Sequence, residues 1–355
     1  MISRLLLLSL STSLPMFAEG FFAVGVKAPA STARRVFYVT DRKPNPSSID
    51  PKKKDLFLGE RSEDGRLRYG TCIVTIPREH VIGSLEEPLP GLPEEATKHV
   101  ILFSVDAGSD TEFYRLARDQ MIRSDRRDTF VFIHGYNTTF QDAARRTAQI
   151  AYDLKFEGAA IFYSWPSQGK PRSYIVDETN ATWTLPHLEA FLKELRSRSD
   201  AARVHIIAHS LGARILTQAL KDLSGAVRFN QIVLAAPDID RDTFVEMARA
   251  INGTADRITL YASSRDRALK LSRDAHGYTR AGESGERLTV TGPFRCTRSS
   301  EENCTLILAG SIGSQVDGAF GGRNRILAPI GKTGIPTKKN GFGAPGKGGR
   351  AAFAF

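Results

Sequence analysis

Ser210 stands in the run Ala208-His209-Ser210-Leu211-Gly212, between an apolar stretch of strand character, Val204 to Ala208, and a stretch of helical spacing, Ala213 to Leu223. Small residues two before and two after a serine let a strand turn sharply into a helix and push the hydroxyl out above the sheet. The small pair here is Ala208 and Gly212, with alanine where a glycine is usual. The helix behind the serine offers free N–H groups and the positive end of its dipole. The Leu211 N–H is therefore a candidate oxyanion donor. The chemistry this favours is attack of a serine hydroxyl on a carbonyl carbon.

Such a reaction needs a second donor, an acid and a base. His134-Gly135-Tyr136-Asn137 follows the apolar strand Phe130 to Ile133. Gly135 permits close backbone approach, and the Tyr136 N–H is the second candidate donor. His134 reads as a loop residue, because in a strand–serine–helix site of this kind the base comes last in the chain. Two aspartates follow strand ends. Asp266 comes just after Arg257–Ala262 and is the favoured acid; Asp238, one strand earlier, is the alternative. Either can instead serve as a helix cap or a loop ion pair. Of seven histidines only His276 lies beyond Asp266, which makes it the candidate base. Trp165, in Tyr163-Ser164-Trp165-Pro166-Ser167, is a candidate substrate-pocket residue or a core residue. No Cys/His spacing suggests a metal site, and no cofactor is called for.

From Thr129 to Ala262 short apolar strands alternate with helical stretches. The helices read as Phe140–Leu154, Leu185–Arg196, Ala213–Leu223 and Arg241–Ile251. The strands read as Phe130–Ile133, Ala159–Tyr163, Val204–Ala208, Gln231–Ala235 and Arg257–Ala262, with a last one at Leu288–Thr291. The pattern predicts an α/β fold with a mainly parallel sheet covered by helices on both faces. Before it, Val36–Thr40, Cys72–Ile76 and His99–Ser104 read as strands of an N-terminal antiparallel edge extension over 35–104.

As an ordered set, several segments resemble one bacterial family. They are Val36-Phe37-Tyr38-Val39-Thr40-Asp41-Arg42, Tyr69-Gly70, Ile76-Pro77 followed by His80, Phe132-Ile133-His134-Gly135-Tyr136-Asn137, Tyr163-Ser164-Trp165-Pro166-Ser167, the Ser210 segment, and Leu234-Ala235-Ala236-Pro237-Asp238-Ile239-Asp240. The family is the α/β-hydrolases of domain of unknown function 900, in the esterase/lipase superfamily, and the resemblance covers roughly 35–292. It implies the α/β-hydrolase fold and a hydrolase site, without a substrate. It also implies a base histidine in a Gly-His-Ser-like segment after the last strand, for which this sequence has no counterpart. Two explanations stay open: a tail that is shifted in reading frame or degenerate, with the base lost, or His276 acting as base after a local rearrangement.

The tail motivates the first. Residues 293–355 hold 12 of 30 glycines, and nine Lys/Arg against three acids, which accounts for six of the ten net positive charges. That composition predicts disorder. The remaining body is nearly balanced and has no basic stripe interleaved with aromatics, which argues against nucleic-acid binding. At the N-terminus, Arg4, the apolar run Leu5 to Phe17 and Ala18-Glu19-Gly20 predict an export leader over 1–20, hence a periplasmic or secreted protein without a stable membrane span, or alternatively a protein anchored by an uncleaved leader. Three cysteines are too few for a disulfide framework; Cys296 and Cys304 are candidates for a local bridge. The leading expectation is a serine esterase acting on a small carboxylic ester. The competing classes are a catalytically impaired binding module on the same fold and an anionic-surface binder using the basic tail.

Overall fold

Strand residues buried on both sides belong in the middle of a sheet covered on two faces. All six residues of 128–133 and all six of 159–164 are buried. The computed structural model describes residues 31–48, 55–89, 91–263, 266–283, 294–298 and 303–308. In chain order its elements are β1 (Ser31–Thr40), β2 (Arg42–Pro44), β3 (Phe57–Arg61), β4 (Arg68–Pro77), β5 (Ile101–Gly108), α1 (Asp110–Ile122), β6 (Asp128–Ile133), α2 (Phe140–Asp153), β7 (Ala159–Ser164), α3 (Tyr174–Trp183), α4 (Leu185–Arg198), β8 (Arg203–His209), α5 (Leu211–Asp222), β9 (Phe229–Ala235), α6 (Arg241–Ala250), β10 (Ala255–Ser263), α7 (Arg267–His276), β11 (Phe294–Arg298) and β12 (Asn303–Leu308).

Ten strands form one sheet in the order β11-β12-β10-β9-β8-β6-β7-β1-β4-β5. The six from β1 to β10 in that row are parallel. Antiparallel strands close both edges, β4 and β5 on one side and β12 and β11 on the other. The N-terminal extension is thus antiparallel, as its sequence predicts, but β1 itself joins the parallel block against β7.

The period-2 alternation of the strands sorts the core into two layers. Phe37, Val131, Ile133 and Ile161 face one layer, shared with Phe113, Leu188, Ile215 and Phe244 of α1, α4, α5 and α6. Val36, Tyr38, Phe130, Phe132 and Phe162 face the other, shared with Phe140, Ala143, Ala144 and Ala148 of α2. The small alanines let α2 lie close to the sheet, and its capping box on Thr139 and Asp142 fixes where it starts.

Three features differ from the sequence expectations. Helices α1, α3 and α7 and strands β2 and β3 occupy stretches for which the sequence reading names no element. The tail predicted to be disordered contributes β11 and β12, whose register pairs Cys296 with Leu306 and Arg298 with Cys304, so the two cysteines are not cross-strand partners. The strand expected at Leu288–Thr291 and the leader over 1–20 lie outside the described residues.

A buried ionic clamp ties the loop after β4 to α2. His80 lies 2.7 Å from Glu86 Oε2 through Nδ1 and 2.8 Å from Asp153 Oδ1 through Nε2. The Val81 and Gly83 N–H groups donate to the remaining oxygens of Glu86 and Asp153, at 2.9 and 2.7 Å. Burial opposes the imidazolium charge, but the two carboxylates outweigh it and raise the His80 pKa to about 9. A histidine whose pKa is higher folded than unfolded stabilises fully below the unfolded value and loses that contribution as pH rises through the folded one. Urea titrations should therefore show a contribution on the order of 1–3 kcal/mol at pH 6 that fades between about pH 6.5 and 9. The His80→Gln variant should be less stable at pH 6 and lack this slope. An identical slope in the variant would assign the pH dependence elsewhere.

Candidate active site

Strand β8 delivers Ser210 at its carboxyl end, directly before α5. Ser210 has φ 52° and ψ −120°, a conformation that L residues rarely adopt. Such strain costs on the order of 1–3 kcal/mol and persists only where its surroundings impose it. The imposing contacts are visible. The Ser210 N–H donates to Ala235 O at 3.0 Å, and Ser210 O accepts from Asp238 N at 3.2 Å.

Two glycines let the turn after β6 press against this elbow. A Cβ on Gly212 would lie 2.2 Å from His134 O, and one on Gly135 would lie 2.9 Å from the Ser210 Cβ. Neither distance is compatible with a side chain. Strands β6 and β8 are neighbours in the sheet, so the two turns emerge one strand spacing apart, roughly 4.8 Å. Among the described residues, neither the Leu211 N–H nor the Tyr136 N–H has an acceptor. Both sit on the backbone that flanks the Ser210–Gly135 contact.

The His134–Asn137 turn is held from behind. The Trp165 indole N–H donates to His134 O at 2.8 Å, and its ring stacks on the His134 ring with centroids 5.0 Å apart. Buried Arg42 donates to Thr138 O, Ser167 O and Ser164 Oγ, each at 2.8 Å. Asp177, also buried, accepts from the Asn137 N–H at 3.1 Å, the Gln168 N–H at 2.8 Å and the Ser167 hydroxyl at 2.6 Å. Asn137 itself has φ 55°. Burial lowers the Arg42 pKa to about 10 against the pull of Asp41, Asp177 and Asp142, so the guanidinium stays charged near neutrality. Burial and the Arg42 charge push the His134 imidazole well below its usual range. Neutral His134 donates from Nδ1 to Gly135 O at 2.8 Å and turns Nε2 towards Arg42 and Ser164, each 3.4 Å away. Its nitrogens are committed to the loop.

The remaining candidates fall in different places. Asp238 follows β9, the neighbour of β8, and its side chain is buried. Its Oδ2 accepts from the Tyr174 hydroxyl at 2.7 Å; its Oδ1 accepts from the Ser272 hydroxyl at 2.7 Å and lies 3.2 Å from Arg280 Nε. Burial and the Asp238 carboxylate raise the Tyr174 pKa, so the phenol keeps the proton it donates. Asp266, the acid favoured from sequence, caps α7 instead, accepting from the Ala268 and Leu269 N–H groups at 2.9 and 3.0 Å. Trp165 has no exposed surface, so the pocket-lining role is corrected: it supports the turn from within the core.

His276 ends α7. Its Nδ1 lies 2.7 Å from Ser272 O, and its Nε2 lies 3.2 Å from Glu178 Oε1. Ser272 joins it to Asp238, since the Ser272 hydroxyl is 3.4 Å from His276 Nδ1. Among the described residues no imidazole hydrogen-bonds the Ser210 hydroxyl. Arg42, Asp177, Tyr174, Ser272 and Arg280 join the site without being candidates from sequence. Only Arg42 carried a signal, as a charge at the carboxyl end of an apolar strand within a motif already singled out.

A parallel sheet with a strained serine between strand and helix, and a glycine-bearing turn from the neighbouring strand beside it, defines an α/β hydrolase framework. The chain belongs to the α/β hydrolases of unknown function called DUF900, whose profile matches residues 109–287. It is also similar to an uncharacterized protein of Nostoc sp., 26% identical over 153 residues, which are 42% of this chain and 38% of that relative. The chain therefore spans well under half the length of the relative it matches.

Gly212→Ala should destabilise the protein by more than about 2 kcal/mol in urea unfolding, because the backbone of His134 has nowhere to move. Gly225, at φ 80° with nothing near its Cβ position, provides the control. Gly225→Ala should cost only about 1–2 kcal/mol of conformational strain. Equal, small losses at both positions would show that the two turns are not in contact.

Proposed function

We propose that the chain is a serine hydrolase that cleaves a carboxylic ester through an acyl-enzyme on Ser210. The observation that carries this reading is the strained backbone of Ser210 beside two N–H groups that have no acceptor among the described residues. In the reaction, Ser210 Oγ bonds to the ester carbonyl carbon as its proton passes to a base. The Leu211 and Tyr136 N–H groups hold the oxyanion. The alcohol leaves carrying a proton, and water then releases the acid and regenerates the serine. Asp238 is the better-supported acid, since it follows β9, the strand next to the one that carries the nucleophile, and Asp266 is engaged as a cap. For His276 to serve as base it must leave Glu178, while keeping its link to Asp238 through Ser272. The exported location expected from the leader is part of the same proposal.

A second reading, a binding module on the hydrolase fold with impaired catalysis, is favoured by one observation. Among the described residues, no histidine hydrogen-bonds Ser210 Oγ. Triad deletions elsewhere leave only about 10³–10⁴ of acceleration over water. Labelling with a fluorophosphonate probe separates the two. The serine hydrolase should be labelled at Ser210, with labelling abolished in Ser210→Ala and slowed at least about a hundredfold in His276→Ala. Unchanged labelling in His276→Ala would remove that histidine from the mechanism. No labelling of folded protein would favour the binding module.

A further inference from the structure

Two segments leave the carboxyl ends of β7 and β10, the end of the sheet that carries Ser210, and meet beside it. The first contains 170–176 and the start of α3; the second is α7 and 277–278. Tyr174 joins them, with its hydroxyl 3.3 Å from Ser272 Oγ and its ring 5.7 Å from the His276 ring. The Tyr136 hydroxyl, from the turn beside Ser210, donates to Pro171 O at 3.2 Å.

Both segments present large apolar side chains to solvent. Ile175 is 78% exposed, Leu271 72% and Tyr278 66%. Interleaved with them are exposed Lys170, Arg172 and Lys270, which have no ion pair or side-chain partner among the described residues. The acids of the same segments are committed. Glu178 pairs with Arg214 and His276, Asp274 with Arg273, Asp266 with the α7 N-terminus, and Asp177 with the turn below. What remains at the surface is apolar and positive. That pairing favours a negatively charged interface with hydrocarbon beneath it, since cations gain from anionic headgroups and apolar side chains from the acyl boundary.

We infer that this rim docks the protein on an anionic lipid surface, with Ser210 facing it, so that the ester substrate is drawn from the lipid. The lipid source rests on reading Ser210 as the reacting centre; the docking itself does not need the serine to be active.

The test is sedimentation of the full chain with vesicles of phosphatidylglycerol and, separately, of phosphatidylcholine. The protein should bind phosphatidylglycerol more tightly. The triple variant Lys170→Glu/Arg172→Glu/Lys270→Glu and the double variant Ile175→Asp/Leu271→Asp should each weaken that binding more than about tenfold. All five positions are exposed, so the fold should survive, as checked by thermal melting. Val81→Asp and Leu92→Asp, at exposed apolar positions in the loop over α2, should bind as the parent does. Absence of binding by the parent, or parent-like binding by both rim variants, overturns the inference; the latter would place the contact in the basic tail or the N-terminal apolar run. Labelling at Ser210 without rim-dependent binding would leave the hydrolase and remove the surface. Rim-dependent binding without labelling would do the reverse.

Discussion

The site depends on one backbone contact, the approach of the turn after β6 to the first turn of α5. At Gly212 there is no room for even a methyl group, because His134 O occupies the place a Cβ would take. The contact brings the chain carrying Tyr136 beside Ser210, and it helps keep Ser210 at a positive φ. Strain of this kind has to be imposed by rigid surroundings. They are present on both sides, as the sheet hydrogen bonds of β6, β8 and β9 and as the buried braces behind the turn. Among the braces, Arg42 is notable for its partners. It is a buried cation whose short hydrogen bonds go to carbonyl and hydroxyl oxygens, with carboxylates acting on it at longer range. Its donors match loop backbone that would otherwise be unsatisfied, and an unsatisfied buried carbonyl is costly.

Sheet order explains why these parts meet. The turn carrying Tyr136 follows β6, the serine follows β8 and Asp238 follows β9, three adjacent strands of the parallel block. Parallel strands send all three connections to one end of the sheet. Asp266, after β10, is one strand further out, and its carboxylate is used to start α7. The start of α7 set by Asp266 leads to Ser272, which donates to Asp238, and to His276, which lies against Ser272. Asp266 thus acts on the site through the placement of a helix.

The central strands were legible because their apolar runs are short and continuous, and the helices between them show apolar residues at helical spacing. Ser210, Gly135 and Gly212 were legible because a sharp strand-to-helix turn restricts residue type locally. Helix α3 was not. It exposes Ile175 and buries Asp177 and Asn180, the reverse of the usual pattern, because its inner face braces a polar turn. Which aspartate caps a helix was not legible either, since both follow strand ends and only three-dimensional neighbours distinguish a cap from a buried carboxylate. Trp165 was ambiguous for a similar reason: an aromatic after a strand serves a pocket or a core equally well until its partner, the His134 carbonyl, is known. Composition suggests disorder from 293 onward, yet the short stretches 294–298 and 303–308 pair as β11 and β12 at the sheet edge.

The most direct measurement is intact-protein mass spectrometry after mixing with a p-nitrophenyl ester and quenching in acid, followed by peptide mapping. A working elbow should give an added acyl mass on the peptide carrying Ser210, lost in Ser210→Ala and reduced in Gly212→Ala. Acylation that maps elsewhere, or folded protein that gains no mass, would contradict the claim that the elbow and its facing turn form a working acyl-transfer site.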